Sequence, residues 1–203
     1  MKIAFLGDDK IMAAADNFLS SYHPDLTLPI PIEEIAELTL KISILPIPAL
    51  KRVFGHESFI NAQFNQITID AQIYENSEER TRFTIAHELG HFVLHKELYK
   101  AQNIKTIEEF LAFQNSFTPQ QWQSVHIQAD RFAGFVLLPK AKLDSILDEE
   151  IASVGGIKSF TITDFRNLVE VIKETFFVSE SCIQTKLSIH YPEIYKAALS
   201  LQR

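Results

Sequence analysis

Apolar positions follow a helical period over most of the chain and a strand-like pattern only between residues 42 and 70, which predicts a mostly helical α+β protein with a small sheet. Ile11 to Tyr22 carries an alanine-rich helical stretch closed by His23-Pro24. Pro29 to Pro31 leads into Ile32 to Leu38, spaced as a short amphipathic helix. Ile42 to Ile47 predicts a strand ended by Pro48. Phe59 to Ala62 and Gln66 to Asp70 flank a short polar turn, as in a hairpin or two neighbouring strands. Beyond these the pattern is helical. Asn76 followed by Glu79 has the form of a capping box, with Ser77 as the alternative cap, for a helix expected to reach about Lys96.

A second start signal is sharper. Thr118 is placed as N-cap, Pro119 at the first helical position and Gln121 as the reciprocal partner. The helix that follows carries Trp122, Val125, Ala129, Phe132, Ala133, Val136 and Leu137 on one stripe until Pro139 ends it. After Gly155-Gly156, Ile162, Phe165, Leu168, Val169, Ile172 and Phe176 share a face, followed by a short helix near Cys182 to Ile189 and another after Pro192. The expected division is residues 1–150 for the main domain and 151–203 for a helical extension packed on it.

Composition narrows the setting. The 203 residues are 46% hydrophobic and 22% charged, a profile that excludes collagen-like, low-complexity and disordered chains. A formal net charge of -7 repels phosphate backbones and argues against direct nucleic-acid binding. The single Cys182 forms no internal disulfide, which suits a reducing compartment. The amino-terminal apolar stretch turns acidic too soon for a signal peptide, and no apolar run approaches the roughly 20 residues of a membrane span. A cytoplasmic protein, not bound to a membrane, is expected; oligomeric state is left open.

The chemistry concentrates in Phe83 to His95. His87-Glu88-Leu89-Gly90-His91 is a His-Glu-x-x-His pattern, with two imidazoles one helical turn apart. One turn rises about 5.4 Å, so both rings reach one ion about 2.1 Å from each nitrogen, with Glu88 alongside. From Phe83 to Leu94 only Thr84, His87, Glu88 and His91 bear polar groups, so the helix is expected to be central. Imidazoles and a carboxylate are costly to bury without a partner, and a metal ion is that partner. A third ligand is required. His95 lies about 12 Å along the axis from His87, too far for one coordination sphere, and is read as a polar helix end. His126, on the apolar stripe of the later helix, is the preferred third ligand, with an ordinary core histidine as the alternative. Asp130, one turn on, either accepts the remote N–H of His87 or His91 and so orients a ligand ring, or is a solvated acid on the helix face.

At these residues the sequence resembles the ImmA/IrrE family of metallopeptidases. Phe83 to His91 with Leu94-His95 matches the family's active-site helix, and Ala129-Asp130-Arg131-Phe132-Ala133 with Leu137-Leu138-Pro139 matches its second signature. Pro31 to Ala36 and Phe177-Val178-Ser179 are similar to flanking elements. The resemblance implies a zincin-like fold, with the metal between two helices beside a small sheet. One departure falls on a ligand: the family's glutamate three residues before the alanine matching Ala129 is here His126, so a three-histidine site is implied.

The expected activity is that of a zinc-dependent endopeptidase, although manganese or iron also suits the donor set. Glu88 would act as general base and then as general acid. A second oxyanion stabiliser is expected but not chosen among Tyr74, Tyr99, Tyr191 and Tyr195. The resemblance further implies a protein substrate, a helix-turn-helix transcriptional repressor, with no DNA-binding module expected ahead of the active-site helix. An extended peptide is expected to add to a sheet edge at Gln66 to Asp70 or Phe59 to Ala62. The alternative reading is a catalytically weak or inactive protease-like regulatory module, such as a toxin–antitoxin or phage component, with a structural metal.

Overall fold

Three segments of high β propensity, rich in isoleucine, pair into the sheet predicted for the first part of the chain. The computed structural model describes residues 5–100, 102 and 104–200, so the start of the amino-terminal stretch, 1–4, lies outside the described residues. The contacts divide the chain into two compact units, Met1–Val136 and Leu137–Arg203.

In the first unit, α1 (Asp8–Tyr22) begins with two aspartates that favour its positive end, and buries Ile11, Ala15, Phe18 and Leu19. The stretch from Ile32 makes one α turn, α2 (Ile32–Glu34), and then widens into a π-helix over Ile35–Thr39. Next come β1 (Ser43–Ile47), α3 (Leu50–Phe54), β2 (Ser58–Ile60) and β3 (Gln66–Asp70). The sheet order is β1-β3-β2, with β1 parallel and β2 antiparallel to β3. β3 is thus the central strand, and Ile67 and Ile69 are fully buried. Of the two segments expected to offer an edge, Gln66 to Asp70 is hydrogen-bonded on both sides, which leaves β2.

The start of the central helix differs from the capping box expected at Asn76. Asp70 caps a short extra helix, α4 (Ala71–Asn76), by accepting from Gln72 N, and Asn76 ends it, its side chain turned back to donate to Gln72 O at 2.8 Å. Helix α5 (Glu78–Leu94) then starts from Ser77, whose side chain makes no cap bond; Glu78 and Glu79 complement its N-terminal dipole instead. Beyond it lie α6 (Lys96–Lys100), α7 (Ile107–Asn115) and α8 (Pro119–Leu137). The Thr118 box is present: Thr118 N donates to Gln121 Oε1 at 3.0 Å and Gln121 N to Thr118 Oγ1 at 3.2 Å. Val125, Ala129, Phe132, Ala133, Val136 and Leu137 of its stripe are buried. Arg131 on α8 pairs with Asp8 in the first turn of α1, pinning the two helices together.

The second unit is helical throughout: α9 (Lys140–Ser153), a 3-10 turn at Ile157–Ser159, α10 (Ile162–Phe176), α11 (Glu180–His190) and α12 (Pro192–Ser200). α10 has a Thr161/Asp164 capping box and buries Phe165, Leu168, Val169, Ile172 and Phe176. Among the described residues, no helix is long and apolar enough to cross a membrane.

Candidate metal centre

The site forms where α5 passes α8. α5 packs on α1, α2, α4 and on strands β2 and β3, so its polar residues are enclosed: Thr84, Glu88 and His91 are buried and His87 is 12% exposed. His87 and His91 follow each other by one turn, and their Nε2 atoms lie 3.1 Å apart. His126 comes in from α8, its ring centroid 5.1 Å from that of His87 and 5.2 Å from that of His91. One ligand atom from each of the three lies within 4.8 Å of the others. Nitrogens bound at about 2.1 Å around one tetrahedral ion sit roughly 3.4 Å apart, a separation that falls between the 3.1 Å of the His87–His91 pair and the 4.8 Å limit of the group. His126 Nε2 is buried without a hydrogen-bond partner, an arrangement that costs free energy unless something else engages that lone pair. The donor set and this orphaned nitrogen both fit a divalent metal.

Electrostatics keep most of the donors ready. Burial, and then the charge of His87, push His126 down to about 3. Burial and the neighbouring histidines also hold His91 well below the ordinary imidazole range. Both are therefore neutral near pH 7, with a lone pair to offer. His87 goes the other way. Burial works against its protonated form, but the Asp130 hydrogen bond, with the charges of Glu88 and Asp130, outweighs it and the net shift is upward. Asp130 Oδ1 lies 2.7 Å from His87 Nδ1, while its own side chain is 51% exposed.

Glu88 stands beside the histidines with its carboxyl pushed up, chiefly by burial and partly offset by His87 and two hydrogen bonds. Ser58 Oγ on β2 donates to Oε1 at 2.5 Å, and the backbone N–H of Ile60 donates as well. Oε2 is buried with no hydrogen-bond partner. Such a carboxylate, fixed on one side and open on the other, is set to handle a proton.

Ser58 has no local signal, because its partner is thirty residues away and the pairing depends on where β2 docks against α5. Trp122 packs tilted against His126, ring centroids 4.6 Å apart, and joins Phe110, Phe113 and Phe117 in an aromatic wall. Of the four tyrosines considered for the oxyanion, Tyr99 is the one described against a site histidine, its ring centroid 5.4 Å from that of His91. Tyr74 is hydrogen-bonded with Glu33, Tyr191 donates to Asp144 at 2.6 Å, and Tyr195 packs on Phe165. His95 stands at the end of α5 as expected, as its C-cap, but is 4% exposed, and it lies outside the three-histidine group.

Compared with known families, residues 40–188 match the model of the Peptidase_M78 family, described as the IrrE N-terminal-like domain. No curated protein matches the chain.

Proposed function

Because the chain belongs to the M78 peptidase family of IrrE N-terminal-like domains, we propose that it is a zinc-dependent endopeptidase whose ion is held by His87, His91 and His126. The observation that carries this reading is the convergence of three imidazoles, with His126 Nε2 buried and otherwise unpartnered. Zinc bound there would supply Lewis acidity to activate water and polarise a peptide carbonyl. Glu88 takes the proton of the attacking water at Oε2 and returns it to the leaving amine, while Ser58, donating to Oε1, and the Ile60 N–H hold the carboxyl still. Asp130, accepting from His87 Nδ1–H, orients that ring and strengthens its Nε2 as a donor. Tyr99 is the tyrosine best situated to steady charge on the reacting carbonyl, since its hydroxyl is buried without a partner.

The substrate is a protein, taken as an extended segment alongside edge strand β2. By family, we infer a helix-turn-helix repressor sharing the same cytoplasm, whose basic domain a chain of charge -7 attracts. The test is incubation of zinc-loaded protein with candidate repressors. A discrete product that disappears on chelation and in Glu88→Gln supports the reading. A stable complex without cleavage, at any metal tried, points instead to a binding module with a structural ion.

A further inference from the structure

Each imidazole that binds a metal through one nitrogen has a second nitrogen to place, and its partner decides which tautomer and ring angle the ligand adopts. Asp130 fills that role for His87 on the exposed side of α5. The second nitrogen of His91 faces the interior, where an unpaired carboxylate would be costly. There the chain supplies another imidazole: His95 Nδ1 lies 3.0 Å from His91 Nδ1. His95 is one turn beyond His91, at the point where α5 ends with φ −120°. It therefore reaches the remote side of the His91 ring and not the side shared with His87 and His126.

Two imidazole nitrogens at this separation share a single proton. His91 Nε2, facing His87 Nε2, must keep its lone pair free to act as a ligand, so the proton of His91 belongs on Nδ1 and points at His95. His95 then accepts on Nδ1 and carries its own hydrogen on Nε2. That nitrogen is buried without a hydrogen-bond partner, and the side chain of buried Gln128, which donates to Ser124 Oγ at 3.3 Å, favours the protonated ring only in part against burial. Gln128 sits on α8 between His126 and the Ala129-Asp130 pair.

We propose that His95 is a positioning residue that holds His91 in its Nδ1–H form and turns Nε2 toward the ion, as a neutral buried counterpart of Asp130. This rests on the metal-site reading above. His95 touches neither substrate nor ion.

The test combines nitrogen-resolved NMR of the histidine rings with zinc affinities measured by competition against a chromophoric chelator. In the zinc-loaded parent, His91 should show a protonated Nδ1 and a metal-shifted Nε2, and His95 an unprotonated Nδ1 with its proton on Nε2. His95→Leu should bind zinc about 10–100-fold more weakly. His95→Asn, whose side-chain oxygen can take the place of Nδ1 as acceptor, should recover most of that loss. A metal-shifted His95 resonance, or a proton on His95 Nδ1, overturns the inference even where a variant fails to fold. Parent-like zinc affinity in a folded His95→Leu overturns it while leaving the metal site standing, whereas a parent that binds no zinc overturns both.

Discussion

Gly90 of α5 and Ala129 of α8 meet backbone to backbone: a Cβ on Gly90 would lie 3.0 Å from Ala129 Cα and 3.2 Å from its carbonyl oxygen. This contact sets the separation of the two helices one residue from His91 and three from His126. The glycine inside the His-Glu-x-x-His pattern thus has a steric task, and Ala129 is the small residue opposite it. On an exposed helix Gly→Ala gains about 1 kcal/mol. Here Gly90→Ala should instead destabilise by about 1–3 kcal/mol and weaken zinc binding, because backbone cannot yield as a side-chain tip does. Chemical denaturation and zinc titration of the same variant check both effects.

His126→Ala should lose more metal affinity than the roughly 10–100-fold typical of removing an outer hydrogen-bond partner. His126→Glu, which restores the residue the family resemblance leads one to expect, should retain an ion. Equal affinity in His126→Ala and the parent would place the third ligand elsewhere.

Ser58→Ala removes one of the two donors that hold the Glu88 carboxyl. A hydrogen bond to a charged group contributes about 1.5–3 kcal/mol, so turnover should fall about tenfold or more with metal content unchanged. Loss of metal in this variant would contradict the division of labour between Glu88 and the histidines.

The apo protein should be acid-sensitive in a defined window. His126 and His95 are pushed by burial to about 3 and about 4, so near pH 5 the unfolded chain binds protons that the folded chain does not. The stability tied to these rings is fully present above the ordinary imidazole value of about 6.5 and is lost as pH falls through the folded values. His87, shifted upward, opposes this, since its protonated form is favoured in the folded state. Zinc must displace that proton, so zinc affinity should fall as the medium acidifies into the range where His87 titrates, with a slope near one proton. Denaturation midpoints and zinc titrations between pH 5 and 8 read both trends; a slope near three protons would contradict the neutral state assigned to His91 and His126.

The helices that carry the histidines were readable because their signals are local. The stripe from Trp122 to Leu137 repeats at helical spacing, and the Thr118-Pro119 start needs only neighbouring residues. Other elements escaped for physical reasons. α4 is a single capped turn and a half that displaces the start of α5 from Asn76. α9 has no strong hydrophobic stripe to signal it, since it buries only Leu143 and Leu147. α7 does carry a local signal, the Thr106/Glu109 capping box, spelled by residues three apart in the sequence. At the site, His95 was visible at i+4 from His91, but its distance from His87 spoke only to ligation. That its ring would be buried against the remote nitrogen of His91 depended on where α5 stops. Ser58 and Gln128 depended on long-range docking and had no signal of their own.

Three imidazoles and one open position around a single ion define the proposed centre. X-ray absorption at the zinc edge of the metal-loaded protein counts these directly. It should show one zinc per chain with three imidazole nitrogens and one oxygen at about 2.0–2.1 Å. An ion with fewer than three imidazoles, or a closed site with no exchangeable oxygen, would contradict the account.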